Sequence, residues 1–215
     1  MAITADLDVV NIALARIGED ELTDLQQVGK VARTMRSNFG PARDSLLRAY
    51  RWNFAIGRAA LASTSYAGST SLFGFTYAFN LPDDCLAVIG IFDPNEDIRN
   101  YTSTKQPWKV EGRQLLFDTD PAYLYYIRSI TNARVFDPMF VDALGWKLGI
   151  DTAYALSTGP DHVKNCWSGF KEVMRMAKLA NAIEGSPEVI TTSEWIDARD
   201  DAGAYEVGRI GPISY

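Results

Sequence analysis

Residues 31–54, VARTMRSNFGPARDSLLRAYRWNF, decide how this chain is to be read. Val31, Met35, Phe39, Ala42, Leu46 and Tyr50 recur at helical spacing, which stacks them on one stripe of an α-helix. The Gly40-Pro41 pair interrupts the composition but not the phase. Proline removes a backbone donor and crowds the preceding turn, so the alternative is two helices broken at Phe39; the preserved phase favours one kinked helix. Trp52 and Phe54 follow where the chain turns away from the helix, and both are expected to be largely buried.

Downstream, helical spacing stops. LASTSYAGSTSLFG, residues 61–74, is rich in serine, threonine and glycine and reads as a loop. Short runs with strand character come next: FGFTYAF from 73, CLAVIGIF from 85 after the LPDD turn, WKV and QLLF on either side of Glu111-Gly112-Arg113, and YLYYIRSI from 123. Together they predict an antiparallel sheet. The runs flanking EGR predict a tight hairpin, because glycine supplies the positive backbone angle of a short connector.

Upstream, Thr4 or Asp6 reads as the N-cap of a short helix carrying Leu7, Val10, Leu14 and Ile17, closed by Gly18. Beyond the strands, Asp137 as N-cap and Pro138 at the first helical position open a third helix with Val141, Leu144, Leu148 and Ala155. Gly159-Pro160 resets the chain. A fourth helix then places Val163, Cys166, Phe170, Val173, Ala177 and Ala180 on one face and Lys164, Lys171, Arg175 and Lys178 elsewhere, ending at Gly185. The expected class is α+β: mainly a helical bundle (residues 1–60 and 137–185) with a small antiparallel β lobe (73–131) inserted between the second and third helices. Residues 1–185 form one domain in this reading. Residues 186–215 lose periodicity, gain glycine and acid, yet keep Trp195, Tyr205 and Tyr215, and read as an extended C-terminal arm that orders on a partner.

Composition narrows the function. A chain of 215 residues with 47% hydrophobic content can bury a real core, and 22% charged residues exclude a wholly disordered chain. Cys85, Cys166 and the single histidine, His162, lack metal-ligand spacing, so no metal site is expected. The opening MAITADLDVV lacks the basic and apolar regions of a signal peptide, which implies synthesis and retention in the cytoplasm. Leu86 to Phe92 is far too short an apolar run to cross a bilayer, and no membrane partner is expected. Neither GxGxxG nor GxxxxGK[ST] occurs, so no nucleotide or other cofactor is expected. The aromatics Trp52, Phe54, Tyr123, Tyr125 and Tyr126 fit core and interface better than a base-stacking platform, which leaves nucleic-acid recognition the weaker reading.

The order of the phrases carries a resemblance. VNIALARIGED (10–20), RDSLLRAYRWNFAIGRAAL (43–61), YAFNLPDDCLAV (77–88), WKVEGRQLLFD (108–118), YLYYI (123–127) and FDPMFVDALGWKLGIDTAYALSTGP (136–160) together resemble the tail tubular protein A family, adaptor subunits of short-tailed bacteriophages. Arg51-Trp52-Asn53-Phe54 and LPDD are its most specific parts. The resemblance covers residues 5–185 and implies a structural head-to-tail adaptor, made in the host cytoplasm and residing at the head-tail junction of the virion. It further implies a homo-oligomeric, dodecameric ring between portal protein and tail nozzle protein, with DNA passing through the lumen without specific binding. A net charge of −6, from 27 acidic and 21 basic residues, suits a channel that does not grip DNA.

Catalysis is weighed separately. Asp83, Asp84, Glu111 and Asp118 are the carboxylates on which a virion-associated glycan or cell-wall hydrolase would draw, since glycoside cleavage needs a proton donor and a second carboxylate. Their turn and hairpin positions account for them as backbone caps, so a non-enzyme is expected and the hydrolase is the alternative. His162 lies at a helix start beside Asp161 and completes no triad. Two charge-biased segments point to a partner instead. Lys30, Arg33, Arg36, Arg43, Arg48, Arg51 and Arg58 face only Asp44 between Val28 and Ala60, which reads as a strongly basic helix. Residues 184–215 are acidic with aromatic anchors. Arg33, Arg36, Arg43, Trp195, Tyr205 and Tyr215 are therefore the expected interface residues, the arm docking on a neighbouring subunit or on the portal.

Overall fold

The computed structural model describes residues 6–66, 74–92, 106–156 and 159–183. Helix α1 (Asp6–Ile17) buries Val9, Val10, Ala13, Leu14 and Ile17 and has Asp6 and Asp8 in its first turn, where carboxylates oppose the positive end of the helix dipole. It closes at Gly18, whose φ of 77° lets the Glu19 amide reach back to the Leu14 carbonyl at 3.1 Å. The proposed Thr4 cap lies outside the described residues. Asn11 then pins the following loop with a reciprocal pair: its amide donates to the Leu22 carbonyl and its oxygen accepts from the Leu22 amide, both at 3.0 Å.

Helix α2 (Lys30–Ala49) runs unbroken through Pro41 and buries Ala32, Met35, Phe39, Ala42, Leu46 and Leu47. The one-helix expectation holds because Pro41 lies on the exposed side, so the donor it lacks is lost where water replaces it. After a short 3-10 turn at Asn53–Ala55, strand β1 (Ile56–Leu61) begins. This corrects two boundaries. The basic stretch to Ala60 is not all helix, and the β lobe starts at 56 rather than 73. IGRAAL has little intrinsic strand character; its pairing with β7 decides the matter, in register from Ile56↔Ile127 to Leu61↔Ala122. Gly57 is required there, since a β-carbon would stand 2.5 Å from Cδ of Arg128. Within the expected loop, Ser65–Tyr66 also forms a two-residue strand, β2, and residues 67–73 lie outside the described residues.

The remaining strands are β3 (Tyr77–Asn80), β4 (Cys85–Phe92), β5 (Lys109–Glu111), β6 (Gln114–Phe117) and β7 (Ala122–Arg128). They form two antiparallel sheets instead of one, in the orders β1-β7-β4 and β2-β3-β6-β5. Phe79, Leu115 and Phe117 from one sheet meet Ile91, Ala122, Leu124 and Tyr126 from the other in a shared apolar layer. The hairpin at EGR is as expected: Glu111 pairs with Gln114 across a two-residue connector whose Gly112 has φ 59°.

Helix α3 (Pro138–Ala153) starts where Asp137 Oδ1 accepts the amides of Met139 at 2.7 Å and Phe140 at 3.4 Å. It is buried on most sides and forms the centre of the bundle, packing on α1, α2 and the last helix, α4 (Pro160–Ile183). Gly145 lets α1 approach: a β-carbon would lie 2.6 Å from Arg16 Nη1 and 2.8 Å from Ile12 Cγ2. Two assigned core positions are corrected. Ala155 is exposed past the end of α3, where Leu156 turns inward instead, and Ala180 is exposed on α4. The class is α+β, with the sheets inserted between α2 and α3 and residues up to 185 forming one compact unit.

Candidate partner interface

Helix α2 presents its basic residues unequally. Arg43 is nearly buried, with 12% of its side chain exposed, and its Nε donates to Asp44 Oδ1 at 2.9 Å. The same Asp44 oxygen accepts from Ser129 Oγ at 3.1 Å, so this group ties α2 to the end of β7. Arg36 holds the loop before α2, donating to the Leu25 carbonyl at 3.1 Å and to Gln26 Oε1 at 3.2 Å. Arg48 donates to the carbonyl of Leu86, the extra residue in a bulge of edge strand β4. Arg58 packs over the Tyr125 ring at 5.6 Å. Of the three basic residues expected at an interface, Arg33 is exposed and has no side-chain partner among the described residues, Arg36 is exposed and bonded to the loop before α2, and Arg43 is held on Asp44. Helical spacing tells which face an arginine occupies but not which carbonyl lies within reach. Trp195, Tyr205 and Tyr215 lie outside the described residues.

The carboxylates named for catalysis are also placed. Asp84 is the hub at the LPDD turn: its Oδ1 accepts from Tyr126 OH at 3.2 Å, its Oδ2 from Arg128 Nε at 2.9 Å, and its carbonyl from the Ser129 amide at 2.7 Å. Burial and the neighbouring Asp84 push the Tyr126 phenol above its ordinary range. Asp83 points into solvent 3.9 Å from Arg113, Glu111 pairs with Lys109 along β5, and Asp118 Oδ1 accepts the Thr76 amide at 2.7 Å. Asp84 and Asp118 thus tie distant strands together, to β7 and to the residue before β3, while the contacts of Asp83 and Glu111 are surface ion pairs. Among the described residues no group of three or more His, Cys, Asp or Glu is arranged to hold a metal ion. No helix among them is long and apolar enough to cross a membrane. His162 is exposed near Gly18.

Trp52 stands where the chain leaves α2 for β1 and packs into the core of the bundle. It is buried, its indole N–H donates to the Leu46 carbonyl at 3.2 Å, and its ring meets Phe140 edge-on at 5.1 Å. Phe54 is only half-buried, against the expectation, and packs edge-on to Phe140 at 5.1 Å. Asn53 and Asn181 latch this joint to α4: the Asn53 amide donates to Asn181 Oδ1 at 3.1 Å, and Asn181 Nδ2 donates to the Arg51 carbonyl at 2.8 Å. A groove of about 380 Å³ opens beside β4, lined by Arg48, Leu81, Cys85, Leu86, Trp108 and Arg113 among others. Burial raises the Cys85 thiol above its usual range there, with Arg113 opposing.

The surface that sequence reasoning missed is the outer face of α4. Met176, Leu179 and Ile183 stand out from it with 39%, 57% and 83% of their area exposed. Their spacing of three and four residues puts them on one side, which was a readable signal masked by the stronger Val163–Cys166–Phe170–Val173 stripe. The chain matches no protein-family model and no curated protein.

Proposed function

We propose that the protein is a structural head-to-tail adaptor of a short-tailed phage virion, one subunit of a ring between portal and tail nozzle through which DNA passes. The supporting observation is where the phrases of the resemblance fall. Arg51-Trp52-Asn53-Phe54 forms the joint from bundle to sheets, LPDD opens β4 and presents Asp84 to β7, WKVEGRQLLF is the hairpin, and FDPMF caps and starts the central helix. In this reading the phrases are architectural, which suits a protein that works by assembling. Exposed apolar side chains at Val28, Tyr154, Leu179 and Ile183 add surface for neighbours. The adaptor recognises portal on one side, nozzle on the other and identical copies laterally.

The test is the mass of the purified full chain alone and after mixing with the portal protein of the same phage, by native mass spectrometry. A ring, either spontaneous or templated by portal, is expected. A chain that stays monomeric and never joins portal refutes the reading. Retention of duplex DNA by the assembled ring at low salt is expected to be weak, and tight retention contradicts a low-friction lumen.

A further inference from the structure

We propose that the lysine row of α4, Lys164, Lys171 and Lys178, docks on the acidic loop 19–24 of a second copy of this chain, so that copies associate head to tail. The inference rests on the adaptor reading and names the contact by which neighbours engage. The three lysines stand seven residues apart, which lines them up along one side of the helix over about 21 Å. All are exposed and none has an ion pair among the described residues; Lys178 lies 6.0 Å from the centre of the Tyr50 ring. Trp167 is exposed between Lys164 and Lys171, three residues from one and four from the other. The acids of α4 offset the row little. Asp161 is in the first turn, and Glu172 is taken up by Arg175, whose Nη2 donates to its Oε1 at 2.6 Å.

The complement is the loop after α1. Glu19, Asp20 and Glu21 have no side-chain partner among the described residues and, with Val28 and Lys30, line a recess of about 240 Å³. Asp24 extends the acidic run, and Val28 is almost fully exposed beside it. The loop is held in place, because Asn11 pins Leu22 at both amide and carbonyl and Arg36 takes the Leu25 carbonyl, so it docks without a cost of ordering. The two patches face opposite ways. Gly18, at the root of the loop, lies against α4: a β-carbon there would stand 3.8 Å from Cε1 of His162. Lys164, Lys171 and Lys178 follow His162 by two, nine and sixteen residues, which sets each within about 20° of half a turn from it around the helix. One chain therefore cannot bring its row onto its own loop, whereas two copies can. Contact between two different patches of identical chains is head to tail, the kind that closes into a ring. A net charge of −6 disfavours a nucleic acid on the row, and charge complementarity favours the loop.

The test treats mixed heavy-isotope and light-isotope full chains, concentrated at low salt, with a carbodiimide, which joins a lysine amine to a carboxylate in direct contact. Mass spectrometry maps the products. The expected links join Lys164, Lys171 or Lys178 of one isotope to Glu19, Asp20, Glu21 or Asp24 of the other. Lys164→Glu with Lys171→Glu, or Asp20→Lys with Glu21→Lys, each lowers the links at the remaining residues by about tenfold, the scale of two exposed ion pairs lost. Mixing these two variants restores links between isotopes, with lysine and carboxylate exchanged between the patches. Links confined to one isotope, mixed links from the lysines to other carboxylates (those of residues 184–215 included), no mixed links, or variants that link like the unaltered chain each overturn the proposal. Duplex DNA retained by the chain and released by the lysine reversal also overturns it, and assigns the row to nucleic acid. The two readings fail separately. A chain that joins portal in a ring without the expected links refutes this contact and keeps the adaptor; a chain that links as expected but forms no ring and binds no portal refutes the adaptor alone.

Discussion

Replacing Trp52 tests the packing of the bundle core where the chain leaves α2 for β1. The side chain is 2% exposed, so truncation removes nearly all of its buried area and leaves a cavity among Tyr50, Phe54 and Phe140, whose rings lie 5.3, 6.2 and 5.1 Å away. Transfer and cavity losses for a core tryptophan amount to about 3–5 kcal/mol. Its hydrogen bond adds to this. Leu46 is within the last four residues of α2, whose carbonyls have no intrahelical donor, and the indole N–H supplies one; losing it costs about 1 kcal/mol. Trp52→Ala should therefore destabilise by about 4–6 kcal/mol, while Trp52→Phe, which keeps most of the ring, should cost about 1–2 kcal/mol. At about 2–4 °C per kcal/mol for a domain of this size, the alanine variant melts about 8–24 °C lower. Urea unfolding of the full chain followed by far-ultraviolet circular dichroism measures this, since five tryptophans blur fluorescence. A loss under about 1 kcal/mol refutes the reasoning and makes Trp52 a peripheral anchor.

Asp137→Ala removes the two amide contacts that start α3 and should cost about 1 kcal/mol in the same denaturation assay, with Asp137→Asn losing less. Gly145→Val drives a side chain into Arg16 and Ile12 and should cost about 2–3 kcal/mol by overpacking the α1–α3 contact; an unchanged midpoint contradicts that close approach. Burial raises both thiols, with Arg16 opposing at Cys166 and Arg113 at Cys85. The folded chain thus keeps these protons where the unfolded chain, with thiols near 9.0, releases them. Unfolding then releases protons, so this contribution to stability is full below pH 9 and is lost as pH rises through the folded values. Thiol-reagent kinetics should find Cys166 unreactive until unfolding and Cys85 slower than a free cysteine; rapid labelling of Cys166 at pH 8 contradicts its burial. Deleting 186–215 should leave the melting temperature of the remaining unit nearly unchanged while abolishing ring or portal association, and normal assembly of the truncated chain refutes a role for the arm.

Local signals in the sequence were strong wherever backbone chemistry is local. Asp137-Pro138, Gly18 and Glu111-Gly112-Arg113 each specify their turn or cap through a side chain or a positive φ, and each stands where its residue type demands. Strand β1 escaped because its conformation is imposed from a distance: Ile56–Leu61 is Ala- and Gly-rich, and only pairing with β7, dozens of residues later, makes it a strand. The split into two sheets escaped for the same reason, since alternation gives a strand two faces without naming the neighbour at its edge. Interface residues are harder still. An arginine at a surface helical position reads alike whether it meets water, as Arg33 does, or closes the Leu86 carbonyl of an edge strand, as Arg48 does. What separates the two is the tertiary position of a single acceptor, and the sequence encodes that only through the whole fold. The apolar residues of α4 are the converse case. Their spacing is legible, but the sequence offers two apolar stripes on this helix, and it is the burial of Val173 and Ala177 against the bundle that leaves Leu179 and Ile183 outside. Which stripe faces the core is decided by the neighbours that pack on it, so the residues left over on the surface are identified only once the core is placed.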